Sequence, residues 1–129
     1  MITSNMTKKF NNSILKSITL TDELFSDIIS SSLSDVEFIY LSSNPSLNKE
    51  QIEYLFLLNI ENVNINLLRN SNCSEERINQ FLLYKDKIYN IAIAHNLALT
   101  EEIINELIKT NDKDVSMSLE YSGIKKGTV

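Results

Sequence analysis

Residues recur along this chain at a step of 26. Asn44, Asn70 and Asn96 follow that step, as do Glu50, Glu76 and Glu102, and Ile52, Ile78 and Ile104. Leu55, Phe81 and Leu107 repeat in the same way, and Leu41, Leu67, Ile93 and Leu119 carry the step further. A unit this short has too little chain to close a core over its own apolar face, so it must bury that face against its neighbours. The step predicts a solenoid of stacked units within one domain, 1–129. The units run approximately 10–35, 36–62, 63–88 and 89–114, with a half unit 115–122 and a tail 123–129.

Each unit divides into two segments. The second opens on a polar residue, Thr21, Asn48, Ser74 and Thr100 in turn, whose side-chain oxygen can accept from the free amides of a first helical turn. Glu23, Glu50, Glu76 and Glu102 follow two residues later, where a carboxylate meets the positive end of a helix dipole. Apolar pairs then come at helical spacing: Phe25 and Ile28, Ile52 and Leu55, Ile78 and Phe81, Ile104 and Leu107. These signals predict helices starting near 21, 48, 74 and 100.

The first segments read Val36 to Asn44, Val63 to Asn70, Tyr89 to Asn96 and Val115 to Ser122, after a degenerate copy from Phe10 to Ser17. Two periods compete in them. Val63 with Leu67 and Leu68 is helical spacing, whereas Val63, Ile65 and Leu67 alternate as a strand does. Asp35, Asn62 and Asp114 stand directly before the first apolar residue and favour a helix start there. In a leucine-rich repeat that place is a buried apolar site, which Asn62 and Asp114 would suit poorly. The fold class expected is therefore an all-α solenoid of two-helix repeats, with an α/β leucine-rich-repeat-like solenoid as the alternative. On the helical reading Ile39, Ile65, Ile91 and Met117 form a second apolar stripe that packs between units or forms a ridge facing a partner. The recurring asparagines are read as turn residues, which tolerate left-handed backbone and bond nearby backbone.

The unit V-x-x-x-L-x-x-N-P-x-L-x-x-E-x-I-x-x-L resembles the leucine-rich repeat variant family, most closely from Asn44 to Leu55. The next copy keeps Val63, Leu67, Asn70, Cys73, Glu76, Ile78 and Phe81, and the third keeps Tyr89, Ile93, Asn96, Leu99, Glu102, Ile104 and Leu107. The resemblance implies a helical right-handed solenoid akin in logic to HEAT and armadillo arrays. It departs at the family's arginine after the leading valine, where Asn64 and Asn90 stand, and at the proline, kept only as Pro45. The family's iron–sulfur cysteine cluster is missing, so no cofactor is expected.

Composition narrows function. The net charge of −5 supplies no positive field for phosphates, so direct nucleic-acid binding is not expected. Cys73 is the single cysteine, which rules out an internal disulfide and fits a reducing, cytoplasmic setting. Cys73 takes the slot of Leu47 and Leu99 and so reads as a buried thiol. No apolar run is long enough for a membrane span, and no apolar stretch follows Lys8 and Lys9 as a secretory signal requires. The abundance of Asn, Ile, Lys and Ser fits an AT-rich bacterial or phage genome.

No catalytic spacing, phosphate loop or zinc motif appears, so no enzyme and no metal site are expected. Glu23, Glu50, Glu76 and Glu102, reinforced by Asp22, Glu75 and Glu101, form a ladder with steps of about 10 Å, too wide for paired-carboxylate catalysis. His95, the only histidine, stands in register with Ser43, Arg69 and Tyr121. The strip that varies between copies is the place for specificity, and Tyr40, Asn66, Arg69, Asn90, His95 and Tyr121 are its expected protein-binding residues. The function expected is a non-enzymatic protein–protein interaction module. The alternative is a small phage or mobile-element inhibitor that occludes a host protein through its acidic ridge. The half unit at the C-terminal end leaves a face for the tail, a second copy of the chain or a partner to cover.

Overall fold

A computed structural model describes residues 11–122, and among these every regular element is an α-helix. In chain order they are α1 (Asn12–Ser17), α2 (Asp22–Ile29), α3 (Asp35–Ser42), α4 (Lys49–Phe56) and α5 (Glu61–Leu68). There follow α6 (Glu75–Leu82), α7 (Lys87–Ala94), α8 (Glu101–Lys109) and α9 (Lys113–Tyr121). Odd-numbered helices are the first segments of the repeats and even-numbered helices the second. The fold is all-α with a repeated arrangement of short helices, and the strand alternative is set aside. Phe10 and the tail 123–129, with Lys125 and Lys126, lie outside the described residues.

Local chemistry explains where the helices begin. Thr21, Asn48, Ser74 and Thr100 are N-caps with extended backbone, and each accepts from the amide three residues on. Asn48 and Gln51 form a reciprocal capping box, as Ser34 and Glu37 do at α3. The caps expected for the first segments lie too far inside. Ser34, not Asp35, caps α3, and Asp112, not Asp114, caps α9 by accepting from the amides of Asp114 and Val115. Asn62 is the second residue of α5. An N-cap needs extended backbone, so the cap is the residue just before the turn closes.

The chain's contacts gather into two compact units that divide between Leu67 and Leu68. In the first, α1 packs against α3. Leu15, Ile28, Leu41, Leu47, Ile52 and Leu55 are wholly buried there, and Phe25 meets Tyr54 edge-on at 5.9 Å. Each such aliphatic side chain stabilises the fold by about 1.5–3 kcal/mol. In the second unit α7 packs against α6, α8 and α9, over a core that includes Ile93, Ile103, Leu107, Val115 and Leu119. Cys73 is buried at 8% exposure, in the slot that Leu47 fills in the first unit.

Some inward positions differ from expectation. Val36 is 56% exposed while Val63 and Val115 are wholly buried, because the 36–62 copy is one residue longer and Val36 falls one place too early. In α8 Ile103 is buried and Ile104 only half-buried, the reverse of Arg77 and Ile78 in α6, whereas α4 buries both Gln51 and Ile52. Of the second stripe, Ile39, Ile65 and Ile91 are half-buried and Met117 is exposed.

The asparagine of each turn acts over a longer range than expected. In the first unit Asn44 is wholly buried, and its Nδ2 donates to the carbonyls of Leu15 (2.9 Å) and Ile18 (2.8 Å) in the preceding repeat. Its Oδ1 accepts from the Ser46 amide at 2.8 Å. In the second unit Asn96 donates to Leu68 (2.8 Å) and Asn70 (2.9 Å) and accepts from the Ala98 amide at 2.8 Å. These bonds satisfy carbonyls that a helix C-terminus leaves without intrahelical donors. Ser122, one step beyond Asn96, donates its hydroxyl to Ala94 at 3.2 Å. The asparagine is therefore a latch between repeats as well as a turn residue. Left-handed backbone falls elsewhere, at Ser32 and at Asn59, Lys85 and Asn111. The last three close the C-terminal turns of α4, α6 and α8, their amides bonding Phe56, Leu82 and Ile108.

Candidate functional site

The expected strip is divided between the two units and is not uniformly available. In the first unit Tyr40 is half-buried, with the Lys16 ammonium 5.8 Å from its ring centroid. Asn66 donates to the Ile39 carbonyl (3.0 Å) and to Ser42 Oγ (3.1 Å), so its amide already links two repeats. That contact makes Asn66 a structural side chain of α5.

In the second unit the strip has geometry. Arg69 directly follows α5, His95 is the C-cap of α7, and Tyr121 ends α9. All three stand where a first-segment helix stops. The rings of His95 and Tyr121 meet edge-on with centroids 6.2 Å apart, a spacing that orients both. Tyr121 is 87% exposed, Arg69 is exposed and His95 half-buried. Burial holds the His95 pKa below its ordinary value of 6.5, and the Arg69 charge lowers it further. The shift favours the neutral imidazole, and the strip offers a ring pair beside one guanidinium. Leu97, two residues past His95, is 73% exposed.

Asn90 does not belong to this surface. It lies within α7 at 6% exposure, and its Oδ1 is buried without a hydrogen-bond partner. Asn64, one step earlier, has the same unpaired Oδ1. The repeat places this position on the packed side of the helix, where its polarity suggested a surface. Asn90 instead lines a cleft of about 510 Å³ within the second unit.

The acidic helix starts Glu23, Glu50, Glu76 and Glu102 are exposed in their first turns. Asp22 is already engaged, accepting from Asn48 (3.0 Å) and Gln51 (3.1 Å). Sequence reasoning missed an apolar corner at the α6–α7 turn. There Leu83, Tyr84 and Ile88 are more than half exposed, beside an edge-packed cluster of Phe81, Tyr84 and Tyr89. The signal was present as Leu83 and Tyr84 in a turn, where polar residues are usual, with Ile88 just after it in the first turn of α7. Among the described residues no group of three or more His, Cys, Asp or Glu could hold a metal ion, and no helix is long and apolar enough to cross a membrane. Comparison with protein-family models, curated proteins and solved structures returned no match.

Proposed function

We propose that this chain is a non-enzymatic protein-binding module whose contact strip in the second unit is Arg69, His95 and Tyr121, extended by Leu97. The observation that carries the reading is the edge-on His95–Tyr121 pair, with Tyr121 87% exposed, on residues fixed at helix ends. Arginine and tyrosine are enriched among residues that dominate binding energy at protein interfaces. A ring already oriented by its neighbour loses less freedom on binding. Kinship with the leucine-rich repeat variant and HEAT-like arrays belongs to the same proposal, supported by the repeated helix pairs and their inter-repeat asparagines. The single buried thiol of Cys73 supports a cytoplasmic setting.

The test is affinity capture from the native host with the full chain, with Arg69→Ala and Tyr121→Ala, and with Glu102→Gln as a control on α8. A partner recovered by the parent and by Glu102→Gln but lost from both strip variants supports the assignment. Equal recovery by all forms overturns it. Release of the partner by Glu102→Gln and by salt, with the strip variants still binding, shifts the reading to occlusion through the acidic helix starts.

A further inference from the structure

We infer that the outer face of α9, the last described helix, pairs with the same face of a second copy of the chain, the two helices running antiparallel. The face is made by Lys113, Met117 and Glu120, which share one side of the helix at steps of four and three. Val115 and Leu119 lie on the opposite side, wholly buried in the core of the second unit.

The helix one repeat earlier shows how this face is used within the unit. α7 packs against α9, and its corresponding residues are Lys87, Ile91 and Ala94. Ala94 is wholly buried, as is Leu68 a further step back, whereas Glu120 at the same place in α9 is exposed. Ile91 is half-buried and Met117 is 57% exposed. Lys87 reaches forward to the start of α9, where its ammonium meets Asp114 at 2.7 Å and Asp112 at 3.7 Å. Lys113 holds the place of Lys87, but among the described residues no helix follows α9 and Lys113 forms no ion pair. The last helix therefore keeps the forward cation of the repeat without its carboxylate.

The charges choose the occupant. Glu120 stands where the two earlier helices are apolar, and a carboxylate covered by an apolar surface carries a large desolvation cost. Whatever covers this face must bring a cation to Glu120 and a carboxylate to Lys113, and a second α9 brings both. Lys113 and Glu120 are seven residues apart, about 10 Å along the axis. In an antiparallel pair Lys113 of each copy meets Glu120 of the other, and a two-fold axis passes between Ser116 and Met117. A parallel pair would set like charges together. A carboxylate accepts at both oxygens, so Glu120 can take an ammonium besides a bond it already makes. A nine-residue helix is about 14 Å long and about 10 Å across, and one side of it offers far less than the roughly 800 Å² per partner of a stable interface. The dimer is therefore weak and reversible. Tyr121 turns its ring to His95 of α7, so the pairing leaves the contact strip open and does not rest on it.

The test is sedimentation equilibrium of the full chain. The parent shows a monomer–dimer equilibrium with a dissociation constant below about 1 mM. Lys113→Glu and Glu120→Lys each set like charges together at both ends of the pair and weaken the dimer by about tenfold or more. Combining the two reverses both ion pairs and restores the parent affinity to within about threefold, a recovery that a folding defect would not show. Oxidation links Met117→Cys, close to the axis, into a covalent dimer and leaves Lys109→Cys on α8 monomeric. Circular dichroism checks that each variant keeps its helices, and if a charge variant fails to fold, the Met117→Cys link decides. A chain still monomeric at about 1 mM overturns the proposal. So does a dimer that the single charge variants leave unchanged, one that the combined variant fails to restore, or one that Met117→Cys does not link.

Discussion

Replacing Asn96 separates the two roles that its position allows. The side chain makes three hydrogen bonds: two donations to the carbonyls of Leu68 and Asn70, and one acceptance from the Ala98 amide. Asn96→Ala removes all three. The Leu68 carbonyl is the buried partner, and leaving it unpaired costs about 2 kcal/mol, within the range for a buried unsatisfied group. The other two bonds are partly buried and contribute about 0.5–1 kcal/mol each. The expected loss is about 3 kcal/mol, a large share of the roughly 5–15 kcal/mol that holds a domain folded. For a chain of this size that lowers the melting temperature by roughly 10 °C.

Asn96→Asp decides between latch and turn. Aspartate keeps the acceptor for Ala98 and is itself a good turn residue, so a purely local role predicts a change near zero. It has no donor, however, and it sets a carboxylate against two carbonyl oxygens. The inter-repeat latch therefore predicts that Asn96→Asp loses at least as much as Asn96→Ala. Urea unfolding followed by circular dichroism, with the m-value checked for constancy, measures both. An Asn96→Asp protein within about 0.5 kcal/mol of the parent would refute the latch.

Further outcomes follow from single residues. Lys85→Asn should raise stability by about 0.5–1 kcal/mol, because asparagine tolerates the left-handed backbone at this step better than lysine does; a loss would contradict that account. His95 should titrate by NMR below 6.5, and Arg69→Ala should move it upward. Because its folded pKa is depressed, the stability it contributes is full above about 6.5 and declines as the pH falls from there through the folded value. His95→Gln should flatten the stability profile over that window. Cys73→Ser should lower stability by about 1–2 kcal/mol through burial of a hydroxyl in an apolar slot, and the native thiol should react slowly with a bulky disulfide reagent.

The helix starts were legible because capping is local. Thr21, Asn48, Ser74 and Thr100 act on amides three residues away, so residue type and spacing were enough. In the first segments two eligible caps stood within a few residues of each other, Ser34 beside Asp35 and Asp112 near Asp114. Composition cannot separate such neighbours, because the choice rests on which residue keeps extended backbone. The asparagine latch was less visible. The step of 26 revealed that Asn44 and Asn96 recur, but their acceptors are carbonyls up to 29 residues upstream, and a carbonyl has no signature in a sequence. Asn66 reads as a recognition residue in the sequence for the same reason: its donations to Ile39 and Ser42 are made across a repeat boundary.

Departures from the repeat divide by what they do to stability. Arg69 and Tyr121 vary at the ends of helices, where exposure makes substitution nearly free in folding terms. Variation there can be tuned to a partner without disturbing the stack. Lys85 and Asn90 differ in kind, since one strains a turn and the other buries an unpaired amide oxygen. Residues that lower stability locally while the rest of a fold is self-consistent are expected at functional positions. Asn64 sharpens the comparison, because it repeats the unpaired amide of Asn90 in the first unit. If the unpaired amide were a requirement of the repeat itself, Asn64→Leu and Asn90→Leu would both destabilise the fold. If each is retained against stability, both substitutions should raise the melting temperature, since replacing an unsatisfied buried amide by an apolar side chain of similar volume removes its desolvation cost. Thermal unfolding of the two variants side by side distinguishes these outcomes.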